Sequence, residues 1–259
     1  MHRLLVETAL MERDAPELPA DAARHLRVVR PQRGEKVELF DGKGRWRVYE
    51  WNGALRAAGE IQSAARPSAA VTLFACVTKG SRWDWTIEKA TELGVARIVP
   101  VISARTIVRI PEGERAAKRE RWLRVAEDAA RQSDAKWLPE IDAAVDFADS
   151  LPLVRATTCF VGALTDPPPP PLLSAISAAG IPAPRPIAVY VGPEGDFTPG
   201  ELAALLECAT PTSFGPTILR AETAAIFAVG AAVAAIAAAF PTGSVIDASA
   251  HCARDRNLV

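Results

Sequence analysis

Residues 189–198 read Val-Tyr-Val-Gly-Pro-Glu-Gly-Asp-Phe-Thr, and residues 214–224 read Phe-Gly-Pro-Thr-Ile-Leu-Arg-Ala-Glu-Thr-Ala. In each stretch a short apolar strand runs into a turn of Gly and Pro and then into the start of a helix. Thr198, Pro199 and Glu201 have the pattern of a helix N-terminus, with Thr as the N-cap and Glu three residues later. Glycine lets a ligand approach the bare backbone, and ligands of α/β sheets bind where such loops leave the strands. The two stretches therefore predict a binding site.

The chain from residue 71 onward alternates predicted strands and helices. Apolar runs predict strands at residues 71–77, 96–102, 157–164 and 187–191. Helical spacing predicts helices from about residue 82 to 93, from 114 to 132 and from 172 to 179, with Ser81 as the N-cap of the first. Such alternation indicates an α/β fold in which a mostly parallel sheet is covered by helices.

Residues 1–70 have a different pattern. Alternating segments at 37–40 and 46–51 flank the tight-turn sequence Asp-Gly-Lys-Gly, which predicts a β-hairpin. A short helix is predicted at residues 21–30, ended by Pro31 and Gly34. We interpret this part as a small β-rich domain with a boundary near residues 66–68.

Composition restricts the classes of function that need consideration. The chain has 259 residues, 49% of them hydrophobic, and a formal net charge of −1, so nucleic-acid binding would have to come from a local basic patch. The four cysteines are scattered, without metal-site spacing or the density of a disulfide framework, and we expect reduced thiols and no metal. The first residues lack a signal-peptide pattern, which predicts a cytoplasmic protein. The cysteines are Cys76, Cys159, Cys208 and Cys252.

Residues 224–240 form a nearly continuous apolar run made mostly of Ala. The run is shorter than the roughly 20 residues that span a bilayer, and Ala contributes little transfer energy. We therefore predict a buried helix and no membrane span. Residues 244–259 show little periodicity and are predicted to form a loose tail.

Two groups of arginines are candidate RNA contacts. Those of the first group recur every three residues along the predicted helix 21–30 and just beyond it, and those of the second lie in the loop after the strand 96–102. Each group could bind phosphates or could simply be solvated surface charge, and the pattern alone leaves both possibilities open. The residues are Arg24, Arg27, Arg30, Arg33, Arg105 and Arg109.

The Gly-Pro-Glu-Gly of residues 192–195, followed by the Ile-Leu-Arg-Ala-Glu-Thr-Ala of residues 218–224, resembles the signature pair of the ribosomal RNA small subunit methyltransferase E family. The resemblance extends over residues 20–240. Further matching positions are His25, Gly34, Gly42, Lys79, Lys89, Thr91, Glu92, Leu93, Gly94 and Pro100. The family belongs to the SPOUT class of knotted methyltransferases.

The resemblance implies a trefoil-knotted SPOUT domain at residues 71–243, preceded by a PUA-like barrel at 1–70 that helps to hold RNA. The implied reaction is methyl transfer from S-adenosyl-L-methionine to N3 of a uridine in 16S ribosomal RNA of the small ribosomal subunit. The resemblance also implies a homodimer with its sites near the subunit interface. The apolar helix at residues 224–240 could form that interface or belong to the core, and the sequence leaves both possibilities open.

The implied cofactor needs backbone groups around its adenine edge and apolar walls around its adenine faces, and the two motif loops offer both. The predicted cofactor-binding residues are Val191, Gly192, Pro193, Glu194, Gly195, Phe214, Gly215, Ile218, Leu219, Thr223 and Ala224.

Methylation of uridine N3 requires loss of an imide proton, so negative charge on the ring must be stabilised. Arg220 is our candidate for that role, because its guanidinium stands between the cofactor loop and the last helix. Glu194 and Glu222 are candidate bases or proton relays, with loop bracing and helix capping as the alternative roles. His and Cys are absent from both motifs, so we expect direct transfer to nitrogen without a metal.

Four residues depart from the family pattern, namely Arg131, Ala135, Asp196 and Thr217. Asp tolerates a left-handed backbone better than most residues, so we expect the loop around position 196 to keep its shape.

Two other functions remain open: a SPOUT methyltransferase that acts on transfer RNA or another ribosomal site, and a non-catalytic RNA-binding protein of ribosome assembly. A nucleotide enzyme is disfavoured because the first loop lacks the Lys-Ser/Thr of a P-loop.

Overall fold

The computed structural model describes residues 1–66, 70–180 and 186–239. The predicted tail at 244–259 lies outside these residues, and so do Pro67 and Ser68 at the predicted boundary.

The N-terminal part contains a five-stranded sheet and two helices. In chain order the elements are β1 (His2–Leu5), α1 (Thr8–Met11), α2 (Ala20–Val29), β2 (Glu35–Phe40), β3 (Arg45–Trp51), β4 (Leu55–Ala57) and β5 (Gln62–Ser63). The strand order is β1-β2-β3-β4, and β5 pairs with β3. Strands β2 and β3 form the predicted antiparallel hairpin, and α2 ends at Arg30 in a left-handed conformation with φ of 52°. Leu4, Met11, Leu39 and Tyr49 are fully buried in the core of this part.

The larger part alternates strands and helices as predicted. Its elements are β6 (Val71–Cys76), α3 (Ser81–Glu92), β7 (Arg97–Ile102), α4 (Glu112–Ser133), β8 (Glu140–Ile141), β9 (Val145–Asp146), α5 (Phe147–Arg155), β10 (Thr158–Gly162), α6 (Leu172–Ala179), β11 (Ile187–Val191), α7 (Pro199–Leu206), β12 (Ala209–Thr212) and α8 (Ala221–Ala239). The sheet order is β12-β10-β11-β6-β7-β8, with β9 also pairing with β7, and all these pairings are parallel. The predicted α/β fold with a mostly parallel sheet is therefore confirmed.

Helices cover both faces of this sheet, which explains why its central strands β11 and β6 are buried throughout and mostly apolar. Leu73 and Val189 point into the core layer that also contains α3, α4 and α8. Their neighbours Phe74 and Tyr190 point into the opposite layer, where their rings stack with centroids 5.4 Å apart.

The start of α3 differs from the prediction. Ser81 is the first helical residue, and the N-cap is Gly80, with φ of 67° and no side-chain cap. The positive φ explains the difference, because the chain enters the helix through a backbone conformation that glycine adopts readily.

Helix α8 has one face in the core and one face exposed. Ala225, Ala228, Val229 and Ala232 are buried in the main core layer, which confirms the predicted core helix for that face, whereas Phe227 on the other face is 41% exposed. Within the described part of the chain, α8 is the one helix whose length and composition would suffice to cross a membrane, and 44% of its apolar window is buried. Such a helix is also typical of a protein core.

A buried ion-pair seam joins the N-terminal sheet to the C-terminal end of α4. Arg3 Nε donates to Glu38 Oε1 at 2.8 Å, and Arg3 Nη1 donates to the Ala130 carbonyl at 2.6 Å. Lys136 Nζ also donates to Glu38, at 2.8 Å, and to Asp134, at 2.8 Å. Because Arg3 and Glu38 are 8% and 2% exposed, this seam is part of the packed interior.

Candidate functional site

The carboxyl ends of three neighbouring strands meet around one cavity. Strands β12, β10 and β11 lie side by side and parallel, so the loops that leave them emerge at the same edge of the sheet. Residues 162–164, 191–196 and 212–220 supply most of the wall of a cavity of about 340 Å³, which is closed on one side by Ala221 and Ala224 of α8. This volume is in the range of small-molecule sites.

The loop after β11 is held by its own side chains. The predicted capping box is confirmed: Glu201 N donates to Thr198 Oγ1 at 3.2 Å, and Thr198 N donates to Glu201 Oε2 at 2.9 Å. A Cβ on Gly192 would lie 3.0 Å from the ring of Phe197, so glycine permits this close packing. Asp196 has φ of 59°, and its carboxylate accepts the Phe197 N–H at 2.7 Å. The expectation that the loop tolerates Asp at position 196 is therefore met.

The loop after β12 packs closely against the end of β10. A Cβ on Gly162 would lie 2.3 Å from Phe214 Cε2, so the position of the Phe214 ring requires glycine at 162. Phe214 also contacts Phe227 of α8, with ring centroids 6.1 Å apart. Gly215 follows with φ of 137°, where a side chain would be strained.

Most of the predicted cofactor residues lie together. All of them line the cavity except Gly195, which packs against the Arg105 side chain, and Thr223, which is exposed on α8. Sequence reasoning missed the loop after β10 and the end of β12. The missed lining residues are Gly162, Ala163, Leu164, Thr212 and Ser213. The predicted strand at 157–164 could have pointed to the loop after β10, because a strand that runs parallel to β11 and beside it ends at the same edge of the sheet.

The three candidate catalytic residues do not all reach the cavity. Arg220 and Glu194 line its wall, and Glu194 accepts a hydrogen bond from Arg82 Nη1 at 3.5 Å. Glu222 is only 7% exposed and lies outside the cavity wall in the first turn of α8. Its Oε2 has no hydrogen-bond partner among residues 1–66, 70–180 and 186–239.

The two groups of candidate RNA arginines differ in their surroundings. The arginines on and after α2 are exposed, which is compatible with phosphate binding and equally with solvated surface charge. Arg105 instead donates through Nη1 to the carbonyls of Gly195 and Phe197, at 2.9 and 3.3 Å. Arg109 donates to the carbonyls of Ser103 and Ala104, at 3.3 and 3.1 Å. The second group therefore makes hydrogen bonds to backbone carbonyls, which within the described part of the chain the first group does through Arg27 alone, to Ala23.

The structure also places the other three residues that depart from the family pattern, namely Arg131, Ala135 and Thr217. Arg131 pairs with Glu127 and Asp128 of its own helix, and the Ala135 carbonyl accepts from Arg3 Nη2 at 3.3 Å. Thr217 lines the cavity.

Buried titratable groups beneath the cavity stay neutral near pH 7. Burial raises the pKa of Tyr190 well above its ordinary value, and its hydroxyl pairs with that of Ser150 at 2.8 Å. Burial likewise raises the pKa of Cys76 to about 12. Both groups are therefore neutral at pH 7.

The cavity has the chemistry that an adenine-containing cofactor needs. Val191, Phe214 and Leu219 supply apolar walls. The backbone N–H groups of Ile218 and Leu219 make no hydrogen bond within the described part of the chain, so they remain available to a ligand. Among those same residues no cluster of His, Cys, Asp and Glu has the geometry of a metal site.

Comparison with known proteins gives the class. Residues 65–233 match the model of the RNA methyltransferase domain. Ribosomal RNA small subunit methyltransferase E from Mycobacterium tuberculosis is 33% identical over 220 residues, which cover 81% of each chain. The homologue from Bacillus subtilis is 33% identical over 156 residues, and that from Synechocystis is 31% identical over 204 residues. These last two alignments cover 61% and 65% of the relatives, slightly less than two thirds of their length.

Solved structures agree with these relatives. Ribosomal RNA small subunit methyltransferase E from Neisseria gonorrhoeae, bound to S-adenosyl methionine, is 27% identical, with a TM-score of 0.73 over 93% of this chain and 98% of that chain. A Legionella pneumophila protein solved with bound SAM is 25% identical, with a TM-score of 0.70 over 92% and 96% of the two chains.

The fold, the cavity and the domain match define an RNA methyltransferase domain with an α/β architecture. More specifically, the chain belongs to the ribosomal RNA small subunit methyltransferase E family.

Proposed function

We propose that this protein transfers a methyl group from S-adenosyl-L-methionine to N3 of a uridine in 16S ribosomal RNA of the small ribosomal subunit. The observation that carries the proposal is the cavity at the ends of β10, β11 and β12, where both motif loops meet. Family membership supports the same reaction.

The cofactor would be held by the two motif loops and the end of β10. Val191, Phe214 and Leu219 would enclose the adenine, and the backbone around Gly192 and Gly215 would bind its polar edge and the ribose. When bound there, S-adenosyl-L-methionine supplies an electrophilic methyl group on its sulfonium.

Two charged residues on the cavity wall would act on the uridine. The Arg220 guanidinium would donate hydrogen bonds to a ring carbonyl and stabilise the imide anion. The Glu194 carboxylate, on the same wall, would accept the N3 proton. Glu222 would act indirectly, because it is buried outside the cavity wall in the first turn of α8, which follows Arg220.

The N-terminal part would help to hold RNA as a PUA-like barrel spanning residues 1–70. The exposed arginines on and after α2 support this role, since Arg24, Arg27, Arg30 and Arg33 make no ion pair within the described residues.

We also propose a homodimer of knotted SPOUT domains, spanning residues 71–243, in the cytoplasm. Exposed apolar side chains on two contacting helices support the dimer, with Trp85 of α3 43% exposed and Phe227 of α8 41% exposed. Membership of the ribosomal RNA small subunit methyltransferase E family supports the trefoil knot.

Labelled methyl transfer tests the reaction. Small-subunit particles from a strain that lacks this protein are incubated with the enzyme and labelled S-adenosyl-L-methionine, and the RNA nucleosides are analysed by mass spectrometry. We expect 3-methyluridine in 16S RNA, and far slower formation of it with Arg220→Ala.

Two other outcomes would replace this proposal. Label in transfer RNA or at another ribosomal nucleotide would assign a different SPOUT substrate. Absence of both methylation and cofactor binding would favour a non-catalytic RNA-binding assembly protein.

A further inference from the structure

Arg105 bridges two carbonyl groups that flank a left-handed residue of the first motif loop. Its Nη1 donates to Gly195 O at 2.9 Å and to Phe197 O at 3.3 Å, and Asp196 between them has φ of 59°. Within the described residues, Arg105 is the one donor recorded for either carbonyl. A non-glycine residue with positive φ persists only where its surroundings hold it there.

The Arg105 side chain also covers Gly195 directly. A Cβ on Gly195 would lie 3.4 Å from Arg105 Cβ and 3.6 Å from Arg105 Cδ. Gly195 therefore faces this arginine, while the neighbouring residues Gly192, Pro193 and Glu194 line the cavity. Arg105 itself is not among the residues that line the cavity.

The turn that carries Arg105 is itself fixed. Arg109 donates to the carbonyls of Ser103 and Ala104, and the Ala104 N–H donates to Glu201 Oε1 at 2.8 Å. Glu201 is also the capping-box residue of α7, so the turn after β7 is tied to the end of the loop at which α7 begins. These hydrogen bonds fix the backbone of the turn from which the Arg105 side chain reaches that loop.

We propose that Arg105 is a positioning residue that keeps residues 193–197 in the shape required by the cofactor cavity, and that it is not a ligand of RNA phosphate. Both contacts are made by Nη1, which lies within hydrogen-bond distance of two backbone oxygens of the loop and so links the side chain to the loop backbone. The expected effect of Arg105 on cofactor affinity rests on the proposed function, whereas its expected effect on the conformation of the loop does not.

Amide hydrogen exchange of the ligand-free protein tests the brace without any cofactor. We expect Arg105→Ala to speed exchange in residues 192–198, and Arg105→Lys to restore part of the protection because an ammonium can still reach one carbonyl. The matched control is Arg155→Ala. Arg155 is exposed at the end of α5, just before β10 begins, and so lies at the opposite edge of the sheet from the cavity. Unchanged exchange in Arg105→Ala would overturn the proposal.

Binding measurements then separate the two roles. For Arg105→Ala we expect the Kd for S-adenosyl-L-methionine to rise about three- to tenfold, the range for losing a solvent-exposed charged hydrogen bond. The KM for small-subunit particles at saturating cofactor and the Tm should stay close to wild type. A raised RNA KM with an unchanged cofactor Kd would instead assign Arg105 to phosphate. If wild-type protein binds no S-adenosyl-L-methionine, the proposed function fails, and the exchange experiment still decides on the brace.

Discussion

Single residues at the cavity show how closely its loops pack. Gly162 and Phe214 are far apart in the chain, yet a single added methyl at 162 would overlap the Phe214 ring. Phe214 in turn forms part of the cavity wall, so the identity of residue 162 controls the shape of the site.

Gly162→Ala should therefore weaken cofactor binding. We expect about 1–3 kcal/mol of destabilisation from overpacking and at least a tenfold rise in the cofactor Kd, because the displaced Phe214 ring narrows or opens the cavity. Thermal unfolding and calorimetric titration measure the two effects. Gly200→Ala is the control, since a Cβ there meets nothing within 4 Å. Equal effects of both substitutions would contradict this explanation.

Arg220 and Glu222 should differ in kinetics although they are two residues apart. We expect Arg220→Ala to lower kcat by about 10²–10³-fold with little change in cofactor Kd, as for the loss of one donor to a developing anion. Glu222→Gln should leave more activity, because Glu222 lies outside the cavity wall, and should lower the Tm slightly by removing a negative charge from the N-terminal turn of α8. Single-turnover rates and thermal unfolding distinguish them. A larger rate loss for Glu222→Gln than for Arg220→Ala would indicate that Glu222 acts as the base.

Among the elements, α7 shows how local sequence stabilises the first motif loop. Its capping box satisfies two backbone N–H groups at the point where the loop becomes helix. Because Glu201 also accepts the Ala104 N–H, the start of α7 connects the loop to the turn after β7.

Thr198→Ala should reduce stability by about 1 kcal/mol, the usual cost of removing an N-cap. Chemical denaturation measures this loss, and Thr198→Ser, which keeps the hydroxyl, serves as control. If Thr198→Ser were as destabilising as Thr198→Ala, the loss of stability would come from the missing methyl group and not from the lost N-cap hydrogen bond.

At the scale of the whole molecule, the ion-pair seam attaches the N-terminal sheet to the methyltransferase domain. Glu38 accepts from both Arg3 and Lys136, and the Lys136 ammonium also lies 4.5 Å from the Trp46 ring centroid. The backbone contributes as well, because Leu138 N donates to Gly42 O at 2.8 Å. A Cβ on Gly42 would lie 2.5 Å from the Leu138 side chain, so the two parts are in close contact.

Glu38→Gln should therefore destabilise the protein strongly, by about 3–5 kcal/mol if the loss matches that of other broken buried ion pairs. The control is Glu50→Gln in the same sheet, where Glu50 pairs with Lys36 at an exposed site. We expect that control to leave the unfolding midpoint nearly unchanged, since exposed pairs contribute little. Similar midpoints for both variants in urea would show that the seam does not stabilise the fold.

The amino-acid sequence by itself determined the alternation of strands and helices, the hairpin, the capping box and the two motif loops. These features are set by burial period, turn residues and caps within a few neighbouring positions, so local patterns are sufficient to predict them. Ser81 is the exception, because the positive φ of Gly80 moved the cap by one residue.

Only the tertiary structure decided which distant residues meet. The strand order β12-β10-β11 brings Gly162 to Phe214, and the packing of the turn after β7 on the loop after β11 brings Arg105 to the carbonyls of Gly195 and Phe197. The same holds for Arg3 and Lys136 at Glu38. Local periodicity specifies which face of an element is buried but carries no information about which element packs against it, and these contacts depend on that pairing.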